Sequence, residues 1–138
     1  VLVRSGEKLA THQHLQTASI PTNTQALSAI VDIGKIAFEQ ADSDLLIESI
    51  NAYQSHLTAL GLTADHSLEK MNALKHNKNI LAMKGCGAMG ADVLLLIFQK
   101  QGIEKEIATL TATGWNVLAS DNDLYKDTLL MKKNAIKA

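Results

Sequence analysis

Apolar positions along the chain change their period repeatedly, and each change marks an element. VLVRS (residues 1–5) alternates apolar and polar positions as a half-buried strand does, and Gly6 ends it. A polar stretch follows, GEKLATHQHLQTASIPTNT (6–24), which holds the only proline, Pro21. From about Thr22 the repeat lengthens to about 3.6 residues, with Leu27, Ile30, Val31, Gly34 and Phe38 on one face and Thr22 or Asn23 available as a cap. This predicts a long helix. A second helix opens on ADSD (41–44), where Asp42 or Ser43 can accept orphan amide hydrogen bonds and Asp44 suits the positive end of the dipole. Its stripe, Leu46, Ile50, Tyr53, Leu57 and Leu60, runs to Gly61, a left-handed stop. The two helices are expected to pack antiparallel, with both stripes, Phe38 and Tyr53 included, forming core.

Ser67, Leu68, Met71 and Leu74 carry a shorter third helix that ends in HNKN (76–79). ILAMK (80–84) and DVLLLIF (92–98) read as buried strands on either side of a glycine-rich stretch. After QKQG (99–102), Ile103, Ile107 and Leu110 predict one more helix, closed by Gly114, and WNVLAS (115–120) reads as the last strand. DNDLYKDTLLMKKNAIKA (121–138) is mixed and fits a helix or a tail. The order is strand, three helices, two strands, helix, strand. It favours an α+β fold with helices packed on one face of a small, mainly antiparallel sheet, a ferredoxin-like sandwich. No internal repeat or low-complexity segment interrupts it.

Composition narrows the partners. With 138 residues, 46% of them apolar, residues 1–138 are read as a single domain with a real core. Thirteen basic against fourteen acidic side chains leave no field to hold a polyanion, which argues against nucleic acid. No run approaches the ~20 apolar residues of a membrane span, and VLVRSGEK lacks the pattern of a signal peptide, so no membrane partner is expected. The single cysteine, Cys86, excludes an internal disulfide framework and agrees with a cytoplasmic setting. The strand-like opening VLVRSG reads as part of something longer.

The candidate chemistry centres on KGCGAMGAD (84–92). Gly85, Gly87 and Gly90 satisfy G-x-G-x-x-G, the spacing of dinucleotide sites. That fingerprint must leave a strand and open a helix, with an acidic residue about 20 positions on. Here the next apolar run reads as a strand, and Asp121 lies too far along. Two readings remain open on spacing alone. The glycines make a tight hairpin with Lys84 in water, or their backbone amides form an anion-binding concavity to which Lys84 adds charge. Three other features are set aside. His12 and His14, two apart, would share a face on a strand but lack a third ligand, so no metal is expected. Cys86 has no inferable histidine partner and reads as a small buried thiol. The stretch DND (121–123) lacks the glycine and glutamate of a calcium loop.

The stretch LAMKGCGAMGADVLLLIF (81–98) resembles the third conserved motif of the GHMP small-molecule kinases. In that motif a strand with a lysine leads through Ser/Thr-Gly-Ala and a run of glycines into a second apolar strand. Lys84 matches the lysine, Cys86 stands where Ser or Thr is usual, and Gly87, Ala88 and Gly90 match directly. Met89 and Ala91 replace glycines, and Asp92 matches the aspartate that closes the run in phosphomevalonate kinases. The opening VLVRSGEKLATHQHL, the helical middle and the closing LTATGWNVLAS are similar to the family's carboxy-terminal domain.

The resemblance implies a two-domain enzyme that transfers the γ-phosphoryl group of ATP, with Mg²⁺, to a mevalonate- or phosphomevalonate-like acceptor. The nucleotide-binding and catalytic residues belong to an amino-terminal domain, and its Gly-Leu-Gly-Ser-Ser loop does not occur in these residues. What carries over is a cleft loop of Lys84, Gly87, Ala88, Met89, Gly90 and Asp92, together with Thr11 and His14 near the acceptor. Alone, the chain is expected to bind no cofactor and to be inactive, with an apolar patch left beside the glycine loop for its missing partner domain. The competing class is a ferredoxin-like regulatory module that binds a small molecule and dimerises.

Overall fold

The computed structural model describes residues 1–6, 24–86 and 92–124. In chain order these form β1 (Leu2–Arg4), α1 (Gln25–Gln40), α2 (Ser43–Ala59), α3 (Asp65–Leu74), β2 (Ile80–Cys86), β3 (Val93–Phe98), α4 (Ile103–Ala112) and β4 (Asn116–Ala119). The four strands make one sheet in the order β2-β3-β1-β4, with antiparallel pairing throughout. β1 and β2 therefore point the same way with β3 between them, joined by a crossover that includes α3. This is the split β-α-β arrangement of a ferredoxin-like α+β sandwich. The α1–α2 hairpin is an addition between β1 and α3.

The pleat decides which side of the sheet becomes core. Along β3, Leu94, Leu96 and Phe98 are buried while Val93, Leu95 and Ile97 between them are only half-buried. Leu94 pairs with Val3 and Leu96 with Met83. On that face they meet Met71 and Leu74 of α3 and Leu110 of α4 in one buried cluster. Polar contacts at two places fix the helices over it. The Lys70 ammonium lies 5.8 Å from the centre of the Trp115 ring, linking α3 to the start of β4. The side-chain amides of Asn77 and Asn79 each donate to the Glu106 carboxylate at 2.7 Å, holding α4 to the turn before β2.

The cap at Asp42 and the stop at Gly61 act as the sequence predicts, whereas α1 starts at Gln25 with no side-chain cap from Thr24, and the expected caps Thr22 and Asn23 lie outside the described residues. Asp42 caps α2 by accepting from the Leu45 amide at 2.9 Å, and Gly61, at φ +68°, ends that helical segment. The reversal between α1 and α2 uses a residue the pattern did not mark: Ala41 sits at φ +53°, and the amides of Ala41 and Asp42 bond back to the carbonyls of Phe38 and Ala37.

The α1–α2 hairpin differs from expectation in what it buries. Its closest contacts come from small and polar residues: Ala37 is the buried residue of α1, and Ser49 and Gln54 are those of α2. Phe38, expected in the core, is 75% exposed, and Val31 is 55% exposed. The cause is the crossing itself. A Cβ on Gly34 would stand 3.2 Å from Ser49 Oγ, so the two helices approach where neither has bulk, and the large side chains of α1 are left on the flanks. Ser49 cannot swing away easily, because its hydroxyl donates to the Leu46 carbonyl at 2.8 Å. Gly34→Val is therefore expected to destabilise the chain by about 1–3 kcal/mol through overpacking, read as a lowered midpoint in thermal unfolding. An unchanged midpoint would mean that α1 does not rest on Ser49.

Candidate functional site

β2 and β3 are neighbours in an antiparallel hairpin whose last pairs are Lys84 with Leu95, Gly85 with Leu94 and Cys86 with Val93. The described element that follows the glycine-rich stretch is a strand and not a helix, which removes the dinucleotide reading. Of the residues singled out in the sequence, Lys84, Gly85, Cys86, Asp92 and the DND stretch (121–123) are described. Gly87, Ala88, Met89, Gly90, Ala91, Thr11, His12 and His14 lie outside the described residues.

Both ends of the connection are tied to other elements. On the β2 side, the Gly85 amide donates to Gln54 Oε1 at 3.0 Å. The Gln54 amide nitrogen in turn donates to Thr63 Oγ1 at 3.0 Å and Thr58 Oγ1 at 3.3 Å. One turn earlier on α2, the Asn51 amide donates to the Leu81 carbonyl at 2.9 Å. α2 therefore lies along the outer edge of β2, and its amide side chains occupy edge groups that would otherwise be open to another strand. On the β3 side, the Asp92 carbonyl accepts from the Ser5 amide at 2.7 Å, and its carboxylate lies 3.7 Å from Arg4 Nε.

Lys84 points to the face of the sheet away from the main core, as its pairing with Leu95 requires. Its ammonium donates to the Gly85 carbonyl at 2.8 Å and lies 5.2 Å from the centre of the Tyr53 ring. Among the described residues no carboxylate stands within ion-pair distance of it. Above it opens a groove of about 560 Å³ between the sheet and the helical hairpin, floored by Lys84 and Leu95 and walled by Ile30 and Phe38 of α1 and Ile50 and Tyr53 of α2. The half-buried stripe of α2 and one flank of the α1 stripe are the walls of this groove, which is why they are not closed core.

Of the residues around this groove, the sequence had singled out Lys84. Gln54, Tyr53 and Leu95 are those it missed. Asn51 and Gln54, three apart beside the apolar stripe, were the available signal for a helix lying on a strand edge. Among the described residues, no three His, Cys, Asp or Glu side chains gather to hold a metal ion, and no helix is long and apolar enough to cross a membrane.

What fold and site define together is a ferredoxin-like α+β domain whose β2–β3 hairpin sets a lysine beside an apolar groove. No family model matches the chain, and neither does any curated protein.

Proposed function

We propose that this chain is the carboxy-terminal domain of a GHMP-type small-molecule kinase, nearest the mevalonate and phosphomevalonate branch, and inactive without an amino-terminal partner domain. The observation that carries the reading is the hairpin. A lysine-bearing strand and an aspartate-led strand flank the glycine-rich stretch within a ferredoxin-like sheet, which is the setting the family motif needs. The exposed apolar residues of α1, Val31, Ile33, Ile36 and Phe38, support it further, since a domain that meets another leaves such a surface when seen alone.

In this reading ATP and Mg²⁺ are held by the partner domain, and this domain closes over the acceptor. Phosphoryl transfer depends chiefly on positioning and on neutralising charge, so a backbone-lined wall contributes without supplying a base or a nucleophile. Lys84 stands near that wall, Asp92 anchors its far end, and the stretch Gly87, Ala88, Met89 and Gly90 faces the transferred group, with Thr11 and His14 toward the acceptor.

The test is a phosphoryl-transfer assay with ATP, Mg²⁺ and either mevalonate or phosphomevalonate. The chain alone is expected to give no turnover, whereas the same chain fused to the segment encoded upstream gives turnover that falls when Lys84 is replaced by Met. Robust turnover by residues 1–138 alone, or an upstream segment without a phosphate-binding loop, would overturn the proposal.

A further inference from the structure

We infer that the groove between the helical hairpin and the open face of the sheet binds an amphipathic small molecule with one anionic head and an extended apolar chain. The head would sit at Lys84 and the chain would lie between Leu95, Ile50 and Phe38. This inference does not rest on the kinase reading, because every residue it invokes is a described residue of this chain.

Three observations converge on that chemistry. The first is size: about 560 Å³ falls within the ~300–1,000 Å³ typical of small-molecule sites. The second is the composition of the walls. Ile30, Val31, Phe38, Leu46, Ile50 and Leu95 are apolar, and the only charged residues in the lining are Lys35 and Lys84. Lys35 is matched by Glu39 on its own helix at 3.8 Å. Among the described residues Lys84 has no such match, and this is the third observation. Its ammonium is half-buried on the groove floor, with one bond to a backbone carbonyl and the Tyr53 ring face alongside. A carbonyl and a π-face solvate a cation but do not neutralise it. The ammonium retains donors for a ligand oxygen, and an anion brought there by an apolar chain gains a charge-assisted hydrogen bond in surroundings that screen it less than bulk water.

The shared chemistry is an anion on an alkyl chain, and carboxylate and phosphate monoester are its two natural sources. Titration calorimetry on the 138-residue chain with decanoate and with decyl phosphate, both below micelle formation, separates them by which binds more tightly. Decanol and decyltrimethylammonium serve as matched neutral and cationic controls. The expected result is saturable one-to-one binding of at least one anion, about tenfold or more tighter than decanol. Lys84→Met, which keeps most of the stem and removes the charge, should abolish that advantage while leaving decanol binding unchanged, and Lys84→Arg should restore part of it. An amide spectrum of Lys84→Met that overlays the parent's away from the groove guards against a folding defect.

Equal affinity for decanoate, decyl phosphate and decanol overturns the inference, as does an anion affinity that survives Lys84→Met or the absence of saturation. Sedimentation provides a separate check. A dimer that Phe38→Ser dissolves and decanoate does not would assign the groove to a second copy of the chain, and so would also overturn it.

Discussion

Leu96→Ala is expected to lower the free energy of unfolding by about 3–5 kcal/mol, the upper part of the range for a buried leucine cut to alanine. Leu96 has no exposed surface, lies on a strand paired on both sides, and belongs to the cluster shared by the sheet, α3 and α4. The site has little room to collapse, so the lost transfer energy and the residual cavity add. Against a typical domain stability of about 5–15 kcal/mol, this single change removes a large share. Leu95→Ala, one residue away on the groove face and only half-buried, should cost clearly less. Urea unfolding of both variants measures the difference as a shift in midpoint at constant slope. If the two substitutions cost the same, the groove face is as tightly packed as the core face and the division of the sheet drawn above fails.

Gln54→Leu is expected to cost about 2 kcal/mol, from a polar loss and not a packing one. The substitution keeps most of the volume but strands the Gly85 amide and withdraws a donor from Thr58 and Thr63. Gln54 is 8% exposed, so water does not readily replace these bonds. The effect should be local as well as global: hydrogen exchange at Gly85 accelerates far more than at Leu96, which keeps its bond to the Val1 carbonyl at 2.8 Å. An unlocked β2 edge should also make the variant more prone to self-association. Should Gly85 exchange at the parent rate, Gln54 is not what holds that edge.

Much of this architecture was legible in the residues. The number and order of the described elements follow from the 3.6-residue and two-residue periods, and the stops at Gly61 and Gly114 fall at positive φ as glycine permits. The antiparallel β2–β3 pairing was foreshadowed by two branched apolar runs on either side of a glycine-rich stretch. The docking of the helical hairpin was not. Periodicity identifies an apolar face but does not say what covers it, and here Gly34, Ala37 and Ser49 make the helix crossing while Phe38 stays outside. Nor does an apolar stripe reveal that a neighbouring glutamine will bond a strand edge, because that depends on where the sheet lies in space. At the site, Lys84 and Asp92 stood out in the sequence as the two ends of the glycine-rich stretch. The pairing of Lys84 with Tyr53 brings together residues 31 positions apart along the chain and needed the fold to appear.

The hairpin's two posts have a consequence for how such a domain can vary. Gln54 grips the incoming strand, and Ser5 with Arg4 grips the outgoing one, so the framework does not depend on what lies between Cys86 and Asp92. For ends held in this way, the closure cost grows slowly with the length between them, about 0.6 kcal/mol for each doubling. A change of length there should accordingly leave the sheet beneath in place.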